Sequence, residues 1–224
     1  MTPDVGILTR PEILTGAVLA CALAAIASEG RRRLPIFYFL KPLTTIMILA
    51  LTLSFAGVDV DYRSRVVVGM VFCLGGDIAL LGRSDRAFIV GVGMFMISHL
   101  LFISALADDL PSLIPPPWTA VIVPFVILGV VVLWPRVGSL RAPVLAYTLA
   151  LIAMWFVAAG RVEAFGTLPT IYAIAGASIF VVSDSTLGFQ RFVVNFRGAD
   201  AVVLSTYWLA MTLLAWSVAG SGAA

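Results

Sequence analysis

The sequence predicts an all-α polytopic membrane protein with eight transmembrane helices and both termini outside. Three observations carry that prediction. Hydrophobic residues make up 61% of the 224-residue chain and charged ones only 12%, with a mean hydropathy of +1.08, whereas a soluble domain carries roughly 25% charged residues. The apolar residues gather into eight runs separated by charged, Gly-rich or Pro-rich breaks. Those runs are too continuous for barrel strands, whose lipid and lumen faces alternate, so helices that satisfy their own backbone groups are what remains.

The first run, Ile13 to Ser28, is followed by Arg31, Arg32 and Arg33. A signal peptide carries its basic residues before the apolar stretch, so this run is expected to be a retained span. Val18-Leu19-Ala20-Cys21 only faintly resembles a lipidation box. The second run, Leu34 to Gly57, contains Lys41, and the third, Val66 to Gly82, contains Asp77. The fourth, Ala87 to Ala107, holds the lone histidine, His99. The Pro-rich stretch from Leu110 to Pro117 then reads as an extended connector. Beyond it lie Trp118 to Trp134, Arg141 to Ala159 with Tyr147, Thr167 to Gly188 with Asp184, and Ala199 to Ala219 with Tyr207.

Residues 1–224 are thus expected to form a single transmembrane domain. A weak four-plus-four repeat divided near 108–117 is suggested by Phe72 before Asp77 and Phe180 before Asp184, each followed by a glycine and an arginine. Orientation follows from the basic residues of the loops. Odd-numbered loops contain Arg31, Arg32, Arg33, Arg83, Arg86, Arg136, Arg141, Arg191 and Arg197, against Arg10, Arg63, Arg65 and Arg161 in the N-terminal segment and even loops. The latter segments hold Asp4, Glu12, Asp59, Asp61, Asp108, Asp109 and Glu163. The bias predicts a multi-pass cell (inner) membrane protein with its odd loops in the cytoplasm.

Several functions are disfavoured at this level. A net charge of +2, spread by topology, makes no patch for nucleic acid. One histidine and two separated cysteines, Cys21 and Cys73, do not assemble a zinc site or a disulfide framework. No phosphate-binding glycine loop follows a strand, so neither a metal nor another cofactor is expected. Nothing in the pattern bears on oligomeric state.

An ionisable side chain inside a span costs roughly 2.5–3.5 kcal/mol on insertion scales and marks a functional site or a paired contact. Lys41, Asp77, His99 and Asp184 are such residues. At a rise of about 1.5 Å per residue, Lys41, Asp77 and Asp184 lie roughly 10, 8 and 6 Å in from the cytoplasmic end, Tyr147 and Tyr207 roughly 9 and 12 Å, and His99 about 18 Å. A polar chamber open toward the cytoplasmic leaflet would collect them. Thr44 and Thr45 follow Lys41 at i+3 and i+4, and Gly69 and Cys73 share the face of Asp77 as Ala177 and Gly188 share that of Asp184. Small residues there let helices approach closely, which turns the aspartates toward neighbouring helices. Blander readings stand beside this one. An aspartate and Lys41 form a structural ion pair, Lys41 snorkels to the surface, His99 bonds between helices, and the tyrosines are interfacial. Ser183 and Ser185 flank Asp184 without a nucleophile elbow.

At these residues the chain resembles the YhhN family of integral-membrane lysoplasmalogenases. The matching pieces are Lys41-Pro42-Leu43-Thr44-Thr45; Gly76-Asp77-Ile78-Ala79-Leu80; Gly91, Phe95 and His99; Pro143 with Tyr147; Gly176 through Phe180-Val181-Val182-Ser183-Asp184-Ser185; and Thr206-Tyr207. Phe102 and Trp208 stand where the resemblance leads one to expect tyrosine. The resemblance implies an eight-helix ether hydrolase that cleaves the vinyl ether bond of lysoplasmenylethanolamine or lysoplasmenylcholine to a fatty aldehyde and the glycerophospho-base, with Asp77 and Asp184 as motif aspartates. Protonating a vinyl ether yields an oxocarbenium ion that water captures, so the reaction needs an acid and a nearby anion. Two buried carboxylates can divide those tasks, as in glycoside hydrolysis. Expected roles are then catalysis for Asp77 and Asp184, and binding of a lysophospholipid from the bilayer for Lys41, His99, Tyr147, Tyr207, Thr44 and Ser183. The competing function is a proton-coupled small-solute transporter using the same Asp, Lys and His; its site would be expected nearer the midplane, between inverted repeats. A noncatalytic lipid-binding scaffold is a third.

Overall fold

The computed structural model describes residues 10–30, 34–82 and 84–219. Asp4, Arg31, Arg32, Arg33 and Arg83, which entered the loop-charge comparison, lie outside them. Among the described residues there is no strand, and eight α-helices follow one another: α1 (Pro11–Gly30), α2 (Leu34–Ser54), α3 (Val60–Ala79), α4 (Asp85–Ala107), α5 (Val123–Leu133), α6 (Arg141–Phe165), α7 (Leu168–Phe192) and α8 (Ala199–Trp216). Each overlaps one of the eight apolar runs. Six of them, α1, α2, α4, α6, α7 and α8, are long and apolar enough to cross a membrane.

The other two differ for physical reasons. Helix α3 starts six residues before its apolar run because the Asp59 carboxylate accepts hydrogen bonds from the backbone N–H of Asp61 and Tyr62. That early start brings Asp61, Arg63 and Arg65 into the helix. Helix α5 is only 11 residues long and is preceded by a 3₁₀ turn, Pro117–Ile122. Prolines at 115–117 and 124 withhold the N–H groups that an α-helix begun earlier would use. Helix α6 runs six residues past Ala159 and stops at Gly166, whose φ of 58° is the left-handed cap that glycine adopts without strain.

Packing runs α1–α2, α2–α3, α3–α4, α4–α6, α6–α7 and α7–α8, and α8 returns to α1, closing a ring of seven helices. Helix α8 also reaches α2 and α3, while α5 stands outside the ring against α7. Glycines set the closest approaches. A Cβ on Gly76 would lie 2.7 Å from the Phe95 ring, and one on Gly176 would lie 3.0 Å from the Ala210 carbonyl oxygen. Bulk is thus excluded along the α3–α4 and α7–α8 seams, the small-residue mode of packing in membranes.

One end of the ring is tied by polar contacts centred on Arg161. Its guanidinium donates to the Leu106 carbonyl at 3.1 Å, lies 3.6 Å from an Asp109 oxygen, and covers the rings of Tyr62 and Phe165 at 5.2 and 5.1 Å. Tyr62 in turn shares a 2.9 Å hydrogen bond with Ser217. Arg161 is buried, and these contacts join α3, α4, α6 and α8. Arg161→Met should therefore lower stability by about 1–3 kcal/mol through the lost charge-assisted bond and cation–π contacts, which thermal unfolding in detergent would register.

Candidate active site

Lys41, Asp77, His99 and Asp184 lie inside the ring, in two neighbouring clusters. The first is built on Asp77 of α3, which is 1% exposed. Its Oδ1 lies 3.5 Å from Lys41 Nζ of α2. Its Oδ2 accepts the Thr45 hydroxyl at 2.6 Å and the Tyr207 hydroxyl of α8 at 2.8 Å. Trp208 adds an indole N–H toward the Thr45 oxygen at 3.4 Å. One cation and two hydroxyl donors thus converge on this carboxylate, the pairing that a buried charge requires.

The second cluster is built on Asp184 of α7. Its Oδ2 accepts the Tyr147 hydroxyl of α6 at 2.5 Å and lies 3.7 Å from His99 Nε2 of α4. His99 is wholly buried, and its Nδ1 is 2.5 Å from the Phe95 carbonyl oxygen. A carbonyl only accepts, so in the neutral ring Nδ1 carries the proton and Nε2 presents a bare lone pair. Nε2 has no hydrogen-bond partner among the described residues. At 3.7 Å it is too far from Asp184 for a direct bond.

Aromatic rings join the clusters. Phe180 meets His99 edge-on at 4.9 Å and Tyr207 at 5.7 Å, and Phe95 meets Tyr207 at 5.7 Å. Helical phase explains the convergence: Lys41 and Thr45, Phe95 and His99, and Phe180 and Asp184 are each four residues apart and share a helix face. Of the residues expected at the site, Lys41, Asp77, His99, Tyr147, Asp184 and Tyr207 come together. Thr44 and Ser183 point elsewhere. The Thr44 hydroxyl donates to the Leu40 carbonyl and approaches Cys21 of α1 at 3.2 Å, and Ser183 donates to the Val203 carbonyl of α8. Thr45 takes their place beside Asp77, with the Trp208 indole behind it.

Two cavities reach these clusters. The larger, about 760 Å³, is almost wholly apolar and runs between α5 and the α4, α6 and α7 face of the ring, with Phe95, Tyr147 and Asp184 in its wall. The smaller, about 400 Å³, is much more polar than the first, with polar and apolar groups in nearly equal share, and has Lys41 in its wall. It is bordered by Glu29 at the end of α1, by Gly82 and Ser84 between α3 and α4, and by Asn195 between α7 and α8. Phe88 and Leu187 line both. No group of three His, Cys, Asp or Glu side chains able to hold a metal occurs among the described residues.

A ring of apolar helices enclosing two carboxylate clusters, with a large apolar cavity against one of them, defines a multi-pass membrane protein with a polar site inside its helix bundle. Residues 36–218 match the YhhN family, and the chain belongs to it. It is 34% identical to a lysoplasmalogenase of Mycobacterium tuberculosis (strain CDC 1551 / Oshkosh) over 128 residues, 54% of this chain and 46% of that protein. With the lysoplasmalogenase TMEM86A of Homo sapiens it shares 27% identity over 164 residues, covering 70% of this chain and 66% of that one. The match to an uncharacterized membrane protein YhhN of Escherichia coli O157:H7 is 25% identical and covers 92% and 99% of the two chains. The chain thus aligns with less than half the length of the mycobacterial relative, but with nearly all of the Escherichia coli one. No solved structure matches it.

Proposed function

We propose that this protein is a lysoplasmalogenase-type ether hydrolase that cleaves the vinyl ether of a lysoplasmalogen to a fatty aldehyde and a glycerophospho-base, using Asp184 and Asp77. The observation that carries the reading is the unequal setting of the two carboxyls. Asp77 is surrounded by Lys41 and two hydroxyl donors, whereas Asp184 has one hydroxyl donor, faces an imidazole lone pair, and borders the large apolar cavity. Asp184 therefore suits the proton-bearing acid and Asp77 the fixed anion, a division of labour known for paired carboxylates.

In this mechanism the alkenyl chain occupies the apolar cavity, whose volume lies within the range of roughly 300–1,000 Å³ typical of ligand pockets. Asp184 protonates the β-carbon of the vinyl ether, and the π electrons form the new C–H bond, leaving an oxocarbenium ion. The Asp77 carboxylate and the aromatic faces nearby offset its charge. Water adds to the cation and returns a proton to Asp184, and the hemiacetal then collapses to aldehyde and alcohol. Tyr147 and Tyr207 hold the carboxylates in place, and Lys41 faces the phosphate. Thr44 and Ser183, expected among the binding residues, would act through helix packing. The same reading takes residues 1–224 as one transmembrane domain crossing the inner membrane eight times, both termini outside and the site toward the cytoplasmic leaflet. In support, the polar cavity is bordered by connections from the Arg-rich side of the chain.

Purified protein incubated with lysoplasmalogen and with its ester and alkyl-ether analogues is expected to release free aldehyde from the vinyl ether alone. Release of fatty acid from the ester, or of no aldehyde from the vinyl ether, would overturn the reading.

A further inference from the structure

The 400 Å³ polar cavity does more than give access to Lys41. Its lining carries charges of both signs, Lys41 and Arg191 against Glu29 and Asp200, and Arg191 is also paired with Asp85 at the start of α4. Through Phe88 and Leu187 it adjoins the apolar cavity, so a single molecule with one apolar tail and a doubly charged head matches the pair. Lys41 is 7% exposed and directs one edge of its ammonium to Asp77 at 3.5 Å. An ammonium has three N–H donors, which leaves donors for an anion arriving from the polar side.

The acceptor side is preordered. Gln190 Nε2 donates to Asp200 Oδ1 at 2.7 Å and to Asn195 Oδ1 at 3.3 Å, which gathers two side-chain oxygens at the cavity wall. Oxygens so gathered suit a cation that carries N–H groups. A quaternary ammonium has none and is held instead by open aromatic faces. The Phe88 face is already covered by the Arg191 guanidinium at 4.7 Å, with Phe192 edge-on at 5.9 Å. Phe37 and Tyr38 are tilted at 51° to one another and do not form parallel walls of a cage.

We propose that the polar cavity is a headgroup subsite for a phosphate joined to a primary ammonium, with Lys41 and Arg191 on the phosphate and Asp200 and Asn195 on the ammonium, and that it selects against a quaternary ammonium. The tail's place in the apolar cavity rests on the ether hydrolase reading; the charge complementarity of the polar cavity does not.

The test is equilibrium binding of saturated alkyl-ether lysolipids, which carry no vinyl ether, to the full chain in detergent. Three probes are compared: the phosphoethanolamine form, the phosphocholine form and the alkylglycerol without a headgroup. The ethanolamine probe should bind about tenfold more tightly than the choline probe, the worth of one charge-assisted hydrogen bond, and both should bind more tightly than the alkylglycerol. Asp200→Asn should erase the preference for ethanolamine over choline. Arg191→Gln should weaken both phosphate-bearing probes and leave alkylglycerol binding unchanged, which also shows that the variant is folded. Equal affinity for all three probes, or a preference that survives both substitutions, overturns the subsite. Aldehyde release from the vinyl ether substrates is scored separately, so an inactive protein that still discriminates headgroups refutes the hydrolase reading and leaves the subsite standing.

Discussion

Asp184→Asn is expected to reduce aldehyde release at least about a hundredfold, the usual worth of a positioned general acid, while the protein remains folded in detergent. Asparagine keeps an oxygen that can accept the Tyr147 hydroxyl, now 2.5 Å from Asp184 Oδ2, and it is nearly isosteric. What it loses is the proton available for carbon. Asp77→Asn should cause a similar loss for a different reason. The amide still accepts from Thr45 and Tyr207 but no longer offers a negative charge to the developing cation. Rates measured with a vinyl ether lysolipid, beside size-exclusion profiles of both variants, check the prediction. Full activity in either variant would sink the two-carboxyl mechanism.

Lys41→Met should be the most destabilising single change at the site. Lys41 and Asp77 are 7% and 1% exposed, and stripping the cation from a buried pair strands the carboxylate at a cost of about 3–5 kcal/mol. Methionine preserves the length of the stem, so the effect reads the charge more than the packing. The double variant Lys41→Met/Asp77→Asn removes both charges and should recover most of the lost stability without recovering activity. Thermal unfolding of the three variants in detergent measures this. If the double variant unfolds at the same temperature as the single, the pair is not the source of the effect.

A rise of about 1.5 Å per residue counted from the end of each run puts Lys41, Asp77 and Asp184 in one layer, and the structure brings these residues into two neighbouring clusters with Tyr147, Tyr207 and His99. These residues stand out in the sequence because ionisable side chains within the apolar runs are few. What depth alone does not resolve is direction around the helix. Thr44 and Thr45 are adjacent, yet about 100° apart in projection, and the one four residues from Lys41 faces Asp77 while the other faces α1. Ser183 is likewise one residue from Asp184 but turns to the α8 backbone. Trp208 lacks the hydroxyl that the resemblance leads one to expect, and only the fold shows that its indole N–H approaches Thr45. The apolar cavity was invisible for another reason. Its wall is made of Phe, Val and Leu, the residues that also face lipid, and nothing in composition separates a lined cavity from an outer surface.

Helix α5 buries none of its residues, and Phe125 on it is 70% exposed, although the helix forms one wall of the 760 Å³ cavity. The seven-helix ring holds the carboxyl clusters, whereas the apolar cavity is closed on one side by a helix that none of its own residues anchors by burial. On the ether hydrolase reading, substitutions confined to α5 should change which chains fit the cavity while leaving the carboxyl clusters of the ring in place.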